Sequence, residues 1–380
     1  MNEIYLDHAA TTPVHPEVAE VMFKAMTNVY GNPSSVHAFG RKARHLIDEA
    51  RSALANSIHA KEKEITFTSG GTEADNLALI GTALANQHKG KHIITTNQEH
   101  HAVLHAANYL ETLGFHITYL PINESGQVTV EDVKNALTEE TILVSIMFVN
   151  NETGVIQPIE EIGEVLKDHY AYFHTDAVQA YGLLEIDVKK LNVDLLSVSA
   201  HKINGPKGVG FLFAREHLVI QPLQFGGEQE RKRRPGTENV INIIGFQKAV
   251  EVLQKEQENN RSKYRQLKKT FVYTLEESAI DFEINADSSN QIDSIINISF
   301  PKTNVESMLT NLDLEGIAAS SGSACTAGSV EPSHVLTAMF GAEDDRTVNS
   351  IRFSFGLNNT EENIVQAANK ISKVVKRLTK

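Results

Sequence analysis

One cysteine is the whole thiol complement of this chain. Cys325 has no partner for an intramolecular disulfide, and a cysteine-based zinc cage is excluded. Cationic charge is in the minority too: 35 Lys and Arg against 48 Asp and Glu leave a net charge of −13. Phosphate backbones select basic faces, so direct nucleic-acid binding is not expected. No apolar run approaches the roughly 18–20 residues of a membrane span. Met1 to His8 lack the basic stretch and apolar run of a secretory leader. The expectation is a cytoplasmic protein without membrane contact. Sixteen histidines invite a metal, but no HExxH pattern or Cys/His pairing supports one, and no resident metal is expected. Internal repeats and low-complexity linkers are missing as well.

What the sequence has is bulk and rhythm. Its 380 residues exceed one small core, and at roughly 100–200 residues per domain two domains are expected. From about residue 60 to 215, short β-rich runs alternate with helical patterns. Strands are expected at 64–68, 92–96, 115–121, 142–149, 172–174, 195–199 and 209–213. Helices are expected at 73–86, 102–113, 159–169 and from a Thr129 cap to 137. This alternation predicts an α/β fold, a mostly parallel sheet sandwiched by helices. After about residue 250 the rhythm changes to a long charged helix (247–277), short strands (295–300 and 351–355) and a closing helix (361–378). The reading is a large α/β domain at 15–255, with 1–14 and 256–380 forming a smaller α+β domain.

Ligands of open parallel sheets bind beyond the carboxyl ends of the strands. The run 64–68 delivers Ser69-Gly70-Gly71-Thr72 to a helix start, where free N–H groups, a hydroxyl and the positive helix end make a phosphate cradle. The run 172–174 delivers Asp176, and a carboxylate at a buried strand end needs a cation or a protonated nitrogen. The run 195–199 delivers Ser199, His201 and Lys202, an amine that desolvation would make nucleophilic enough for a Schiff base. Alone, each has a plainer reading: a capped turn, an N-cap Asp, a surface lysine. Together, with Lys202 standing 26 residues after Asp176, they meet the needs of pyridoxal 5'-phosphate. The phosphate needs the cradle, the aldehyde needs the lysine and the ring nitrogen needs the carboxylate. Gln179 suits the phenolic oxygen, and Ser199 and His201 extend the phosphate shell.

Nine motifs then occur in order. They are Asp7-His8-Ala9-Ala10-Thr11-Thr12-Pro13, Gly31-Asn32-Pro33-Ser34-Ser35-Val36-His37, Thr68-Ser69-Gly70-Gly71-Thr72-Glu73, Glu99-His100-His101 and Val149-Asn150-Asn151-Glu152. Ser199-Ala200-His201-Lys202, Pro235-Gly236-Thr237-Glu238-Asn239, Ser321-Gly322-Ser323-Ala324-Cys325-Thr326 and Ile351-Arg352-Phe353-Ser354-Phe355-Gly356 follow. From about residue 4 to 357 the chain resembles a NifS/IscS-type cysteine desulfurase, a fold-type I pyridoxal-phosphate enzyme of the class V aminotransferase family. The resemblance implies that Lys202 bonds the cofactor, Asp176 holds its ring nitrogen, and His100 stacks on the ring and moves protons. It assigns Gly71, Thr72, Ser199 and His201 to the phosphate, and Asn151 and Gln179 to the neighbourhood of the ring oxygen. Thr237 would reach the phosphate of a neighbouring subunit, implying a homodimer. Asn32 and Arg352 would hold the substrate carboxylate, a task suited to a bidentate guanidinium. His101 is read as a surface or helix-start residue, and Arg231 to Arg234 as a solvated loop near the dimer interface.

The implied reaction takes sulfur from L-cysteine, leaves L-alanine and makes a persulfide on Cys325. That sulfur would go to an acceptor protein, an iron–sulfur scaffold or a tRNA-thiolating enzyme, with at most a transient cluster at Cys325. From Ala318 to Ser329 every residue but Cys325 is Ala, Ser, Gly or Thr. Such residues anchor nothing in a core, so a mobile surface loop is expected there. Departures from the best-known housekeeping form, at Gly70-Gly71 and Thr326 to Ser329, leave the pathway open. The alternatives are another pyridoxal-phosphate enzyme (an aminotransferase or selenocysteine lyase) and a non-catalytic interaction protein with the same fold.

Overall fold

The computed structural model describes residues 3–286, 289–322 and 331–380. Along the chain its strands are β1 Ile4–Tyr5, β2 Ile65–Thr68, β3 His92–Thr96, β4 His116–Leu120, β5 Thr141–Ser145 and β6 Tyr172–Asp176. They continue as β7 Leu195–Ser199, β8 Gly210–Ala214, β9 Glu283–Ile284, β10 Ile295–Ser299, β11 Ile317–Ala318 and β12 Ser350–Ser354. One seven-stranded sheet runs β2-β8-β7-β6-β5-β3-β4. All its strands share one direction except β8, which is antiparallel to both β7 and β2. Every residue of β3, β5 and β7 is buried, as expected for strands covered by helices on both faces. The mostly parallel sheet read from the sequence is present, although the opposed direction of β8 left no mark in its composition.

A smaller antiparallel sheet runs β12-β10-β9, and β1 pairs in parallel with β11. Apolar residues of β10, β12 and the helix Glu361–Leu378 form a cluster separate from those of the large sheet, and Ile4 and Leu6 join it. In that helix Ile364, Ala367, Ala368, Ile371, Val374 and Val375 are buried, the i, i+3, i+4 stripe of an amphipathic helix.

The helix Val240–Glu277 is a 38-residue rod serving both clusters. Ile243, Phe246 and Val250 belong to the first, and Leu267, Phe271 and Leu275 to the second. It begins seven residues before the expected position, because the Asn239 cap precedes an apolar run that lacks the charge pattern of the rest. Helices Pro16–Asn28 and Ala38–Asn56 lack the usual capping residue; imidazoles of His15 and His37 cap them in place of Ser, Thr, Asp or Asn. The expected strand 142–149 is shorter than read, ending at Ser145. Beyond it, Ile146 and Phe148 still donate to His174 and Asp176 carbonyls at 3.1 and 2.9 Å.

The surface loop expected from residue 318 does not begin there. Ala318 ends β11, Ser320 exchanges backbone hydrogen bonds with Arg352, and Ser320 and Ser321 are buried. Cys325 lies outside the described residues. Among those described, no helix is long and apolar enough to cross a membrane.

A buried ion pair fixes the entry to the first strand end. Arg51 donates to both oxygens of Glu230 at 2.8 and 2.6 Å, and Phe67 N donates to the same carboxylate at 2.8 Å. Glu230 sits at φ 45°, a left-handed backbone that this pairing holds in place. Removing one partner would strand the other charge in the core. Glu230→Ala should therefore lower the unfolding free energy by about 3–5 kcal/mol, read from the denaturant midpoint at constant slope. A loss below about 1 kcal/mol would show that Arg51 finds water instead.

Candidate active site

At the carboxyl ends of β2, β6 and β7 lies a cavity of about 270 Å³. Its walls include Lys202, His100 and Asp176, then Gly71, Thr72, Ser199 and His201, and also Asn151, Gln179 and Arg352. Asn32 and Thr237 are not on this wall. Both are exposed, and the Asn32 side-chain oxygen accepts from Ser34 N at 2.9 Å. Cys325 is outside the described residues, but Gly322, three positions before it, lines the cavity.

The turn after β2 works through close approach. Gly70 adopts φ 152°, and a Cβ on Gly71 would meet the Val178 side chain at 2.8 Å. The helix start therefore sits tight against the turn that follows β6. From Gly71 the chain stays helical to Asn86 through a π segment at Leu77–Gly81. Glu73, the acid in the first turn, receives Ser69 N at 2.7 Å and Arg234 Nε at 2.9 Å, so its charge is occupied away from an incoming anion. Arg234 thus leaves the expected solvated loop and is half-buried, whereas Arg231 and Lys232 are exposed.

Lys202 stands on a short 3-10 turn after β7. Its ammonium donates to the carbonyls of Ala9 and Ala10, the second at 2.9 Å. Gln179 Nε2 donates to Ala9 O at 2.9 Å, so the N-terminal segment reaches under both side chains. Arg352, on β12, is held by Asp7 Oδ1 at 2.9 Å and by the Asn151 carbonyl at 3.0 Å, while its buried Nε has no partner among the described residues. The Asp7 pairing had no local signal, because 345 positions separate the two residues.

Burial sets the protonation of the ring nitrogens. His100 caps the helix His101–Thr112, its Nδ1 accepting from Ala102 N at 3.1 Å, which places its proton on Nε2. Burial, and then the Lys202 charge, push its pKa down to about 4. His201, with Nδ1 at 3.1 Å from Thr11 Oγ1, is pushed to about 4 by burial and by the Lys202 and Lys207 charges. Asp176 moves the other way, up to about 6 through burial, although the Val178 N–H and Lys202 oppose the rise.

Several lining residues escaped the sequence reading. Asp75 lies one helical turn after Gly71, so the helical period alone was a signal that it shares that face. Asp176 therefore shares the cavity wall with a second acid. Glu152 accepts from Ser333 Oγ at 2.5 Å, and His334 packs on His101 with ring centroids 4.9 Å apart. His101 does begin its helix, as expected, but it also faces the cavity.

The chain matches the family described as aminotransferase class-V over residues 4–366. It is 57% identical over 379 residues to a putative cysteine desulfurase IscS 1 of Bacillus subtilis, covering 100% of each chain. The cysteine desulfurase IscS of Dictyoglomus turgidum is 47% identical, over 99% of this chain and 95% of its own. A solved NifS-like protein superposes with a TM-score of 0.92 at 34% identity, covering 99% of this chain and 100% of the other. A structure described as SspA in complex with cysteine gives 0.83 at 36% identity, over 93% and 99%.

A lowered imidazole pKa means that the folded protein leaves His100 neutral where an ordinary histidine has taken a proton. Its Cε1–H resonance should stay at the neutral position from pH 8 to about 5 and move only toward pH 4. A midpoint near 6.5 would contradict the burial described above.

Proposed function

Because the chain belongs to the aminotransferase class-V family and is a pyridoxal-phosphate-dependent cysteine desulfurase, we propose that Lys202, His100 and Cys325 carry its reaction. The observation that carries this reading is the meeting of Lys202, Asp176, His100, Arg352 and the Gly71 helix start around one cavity. The donor set fits the cofactor. A glycine whose Cβ would strike Val178 leaves room for an anion at the helix start, and a buried carboxyl and an amine stand on neighbouring strand ends. Gly71, Thr72, Ser199 and His201 would hold the phosphate, Lys202 the aldehyde carbon and Asp176 the ring nitrogen. Gln179 and Asn151 would lie near the phenolic oxygen. When bound, the cofactor supplies an electron sink for negative charge at the substrate α-carbon.

The protein's own groups do the rest. Arg352 takes the L-cysteine carboxylate, in competition with Asp7, and Asn32 is assigned to the same carboxylate. Lys202 Nζ removes the proton from the substrate Cα and returns one later. His100, with its proton on Nε2 and its basicity held low, is a weak base for Cys325 and serves as a neutral group in proton transfer. The Cys325 thiolate attacks the substrate sulfur. An S–S bond forms, the substrate Cβ–S bond breaks, and its electron pair stays with carbon and takes a proton. Sulfur is oxidised to the persulfide level while the three-carbon skeleton is reduced to alanine. Met147, Val149 and Val178 supply apolar wall that limits water around these steps.

The chain is proposed to act as a homodimer in the cytoplasm, passing sulfur to an iron–sulfur scaffold or a tRNA-thiolating enzyme. Exposed Phe23, Met26, Tyr30, Val36, Phe39 and Phe225 support a covered face. Val36 and Phe225 are 88% and 87% accessible, unusual for side chains left to water. Exposed Thr237 is then free to reach the phosphate in the second copy. The same proposal divides the chain into a cofactor-binding unit at 15–255 and a smaller unit of 1–14 with 256–380. The separate apolar clusters support it, with the boundary inside the helix Val240–Glu277.

Cys325→Ala should keep a coloured cofactor that responds to L-cysteine, while persulfide and sulfide formation fall by about 100-fold or more. Full sulfide release would remove Cys325 from the reaction. Lys202→Ala should leave no borohydride-trapped cofactor on the protein. Light scattering should give twice the chain mass, and Phe39→Glu should shift the protein toward monomer; a wild-type monomer would sink the shared-site reading.

A further inference from the structure

One face of the central strands carries a polar set of which the mechanism above uses only Asp176. Ser145 of β5 stands in register with His174 of β6, and Asp176 of β6 with Ser197 of β7. Side chains alternate along a strand, so His174 and Asp176 share a face. The helix that starts at Gly71 brings Asp75 to this set. Asp75 is 1% exposed, its Oδ1 is 3.6 Å from His174 Nε2 without a hydrogen bond, and the Ser197 hydroxyl holds the carboxyl. His174 is bridged on both sides, Nε2 to Ser197 Oγ at 3.0 Å and Nδ1 to Ser145 Oγ at 2.8 Å.

The chain Ser145–His174–Ser197–Asp75 can run in two directions. With Asp75 ionised, Ser197 donates to it, His174 donates from Nε2 and Ser145 donates to Nδ1. With a proton on Asp75, Asp75 donates to Ser197, every later bond reverses and His174 carries its proton on Nδ1. The surrounding charges choose between them. Burial and then the Asp176 carboxylate raise the pKa of Asp75, whereas Glu99, itself pushed up to about 8 by burial, is mostly neutral at pH 7 and adds little. Its ion-pair partner among the described residues is His174, which burial holds neutral by pushing its pKa down to about 3. The Lys202 charge acts on Asp176 and His100. Two adjacent buried carboxyls of which only one faces a cation do not both ionise.

We propose that Asp75 is a neutral carboxylic acid, a positioning residue that keeps the pair's single negative charge on Asp176. This rests on reading Asp176 as the partner of the ring nitrogen, since a charge shared with Asp75 would weaken that contact.

Infrared spectra and ¹⁵N NMR of the cofactor-loaded protein at pH 7 test it. The wild type should show protonated-carboxyl C=O stretches for Glu99 and for Asp75; Glu99→Gln should remove the first and leave a band that only Asp75→Asn removes. His174 should report its proton on Nδ1, a measurement that needs no substitution. In Asp176→Asn, the Asp75 band should titrate about one pH unit or more lower, because the neighbouring charge is gone. A wild-type spectrum without that band, a His174 proton on Nε2, or an unmoved midpoint in Asp176→Asn would each overturn the assignment. A Lys202→Ala protein that still traps cofactor on reduction would instead sink the broader site reading and leave the carboxyl result standing.

Discussion

Desolvation is the constraint on which this molecule turns. A sheet covered on both faces delivers an amine, three carboxyls and several imidazoles to its carboxyl edge, where water cannot pay for their charges. Each group must therefore be paired, hydrogen-bonded or neutral. Lys202 meets backbone carbonyls and Arg352 meets Asp7, while the imidazoles of His100, His174 and His201 are held neutral. The same low-dielectric surroundings strengthen whatever interaction a bound anion or ring nitrogen makes there.

The parts legible in the sequence are those written within a few consecutive residues. A strand that runs into Ser69-Gly70-Gly71-Thr72, or into Ser199-Ala200-His201-Lys202, declares both its end and its polar cargo. All the large-sheet strands but β5 were read close to their observed limits for that reason, and the closing helix announced itself by its apolar stripe. Features that depend on register or on distant pairing were not visible. The reversed direction of β8 is a matter of topology, and a short apolar run reads the same both ways. Asp75 stands one helical turn after Gly71, but nothing in the sequence tells that its helix brings it beside His174. His15 and His37 hid two helix starts because imidazoles seldom cap helices.

The two apolar clusters are not independent bodies joined by a flexible hinge. The helix Val240–Glu277 contributes side chains to both, so a displacement of one end is transmitted along a continuous hydrogen-bonded rod. The N-terminal segment adds a second tie. Ile4 and Leu6 sit in the smaller cluster, while the Ala9 and Ala10 carbonyls lie against Lys202 on the large sheet.

That second tie also bears on how the protein is made. Asp7 meets Arg352 across 345 positions, and Ala10 meets Lys202 across 192. On a ribosome Ala10 must wait for Lys202, and Asp7 much longer, until Arg352 has emerged. The large sheet is free to fold vectorially as it appears, but the substrate end of the pocket must wait for β12. A nascent chain stalled before its last strand would carry a cleft without Arg352.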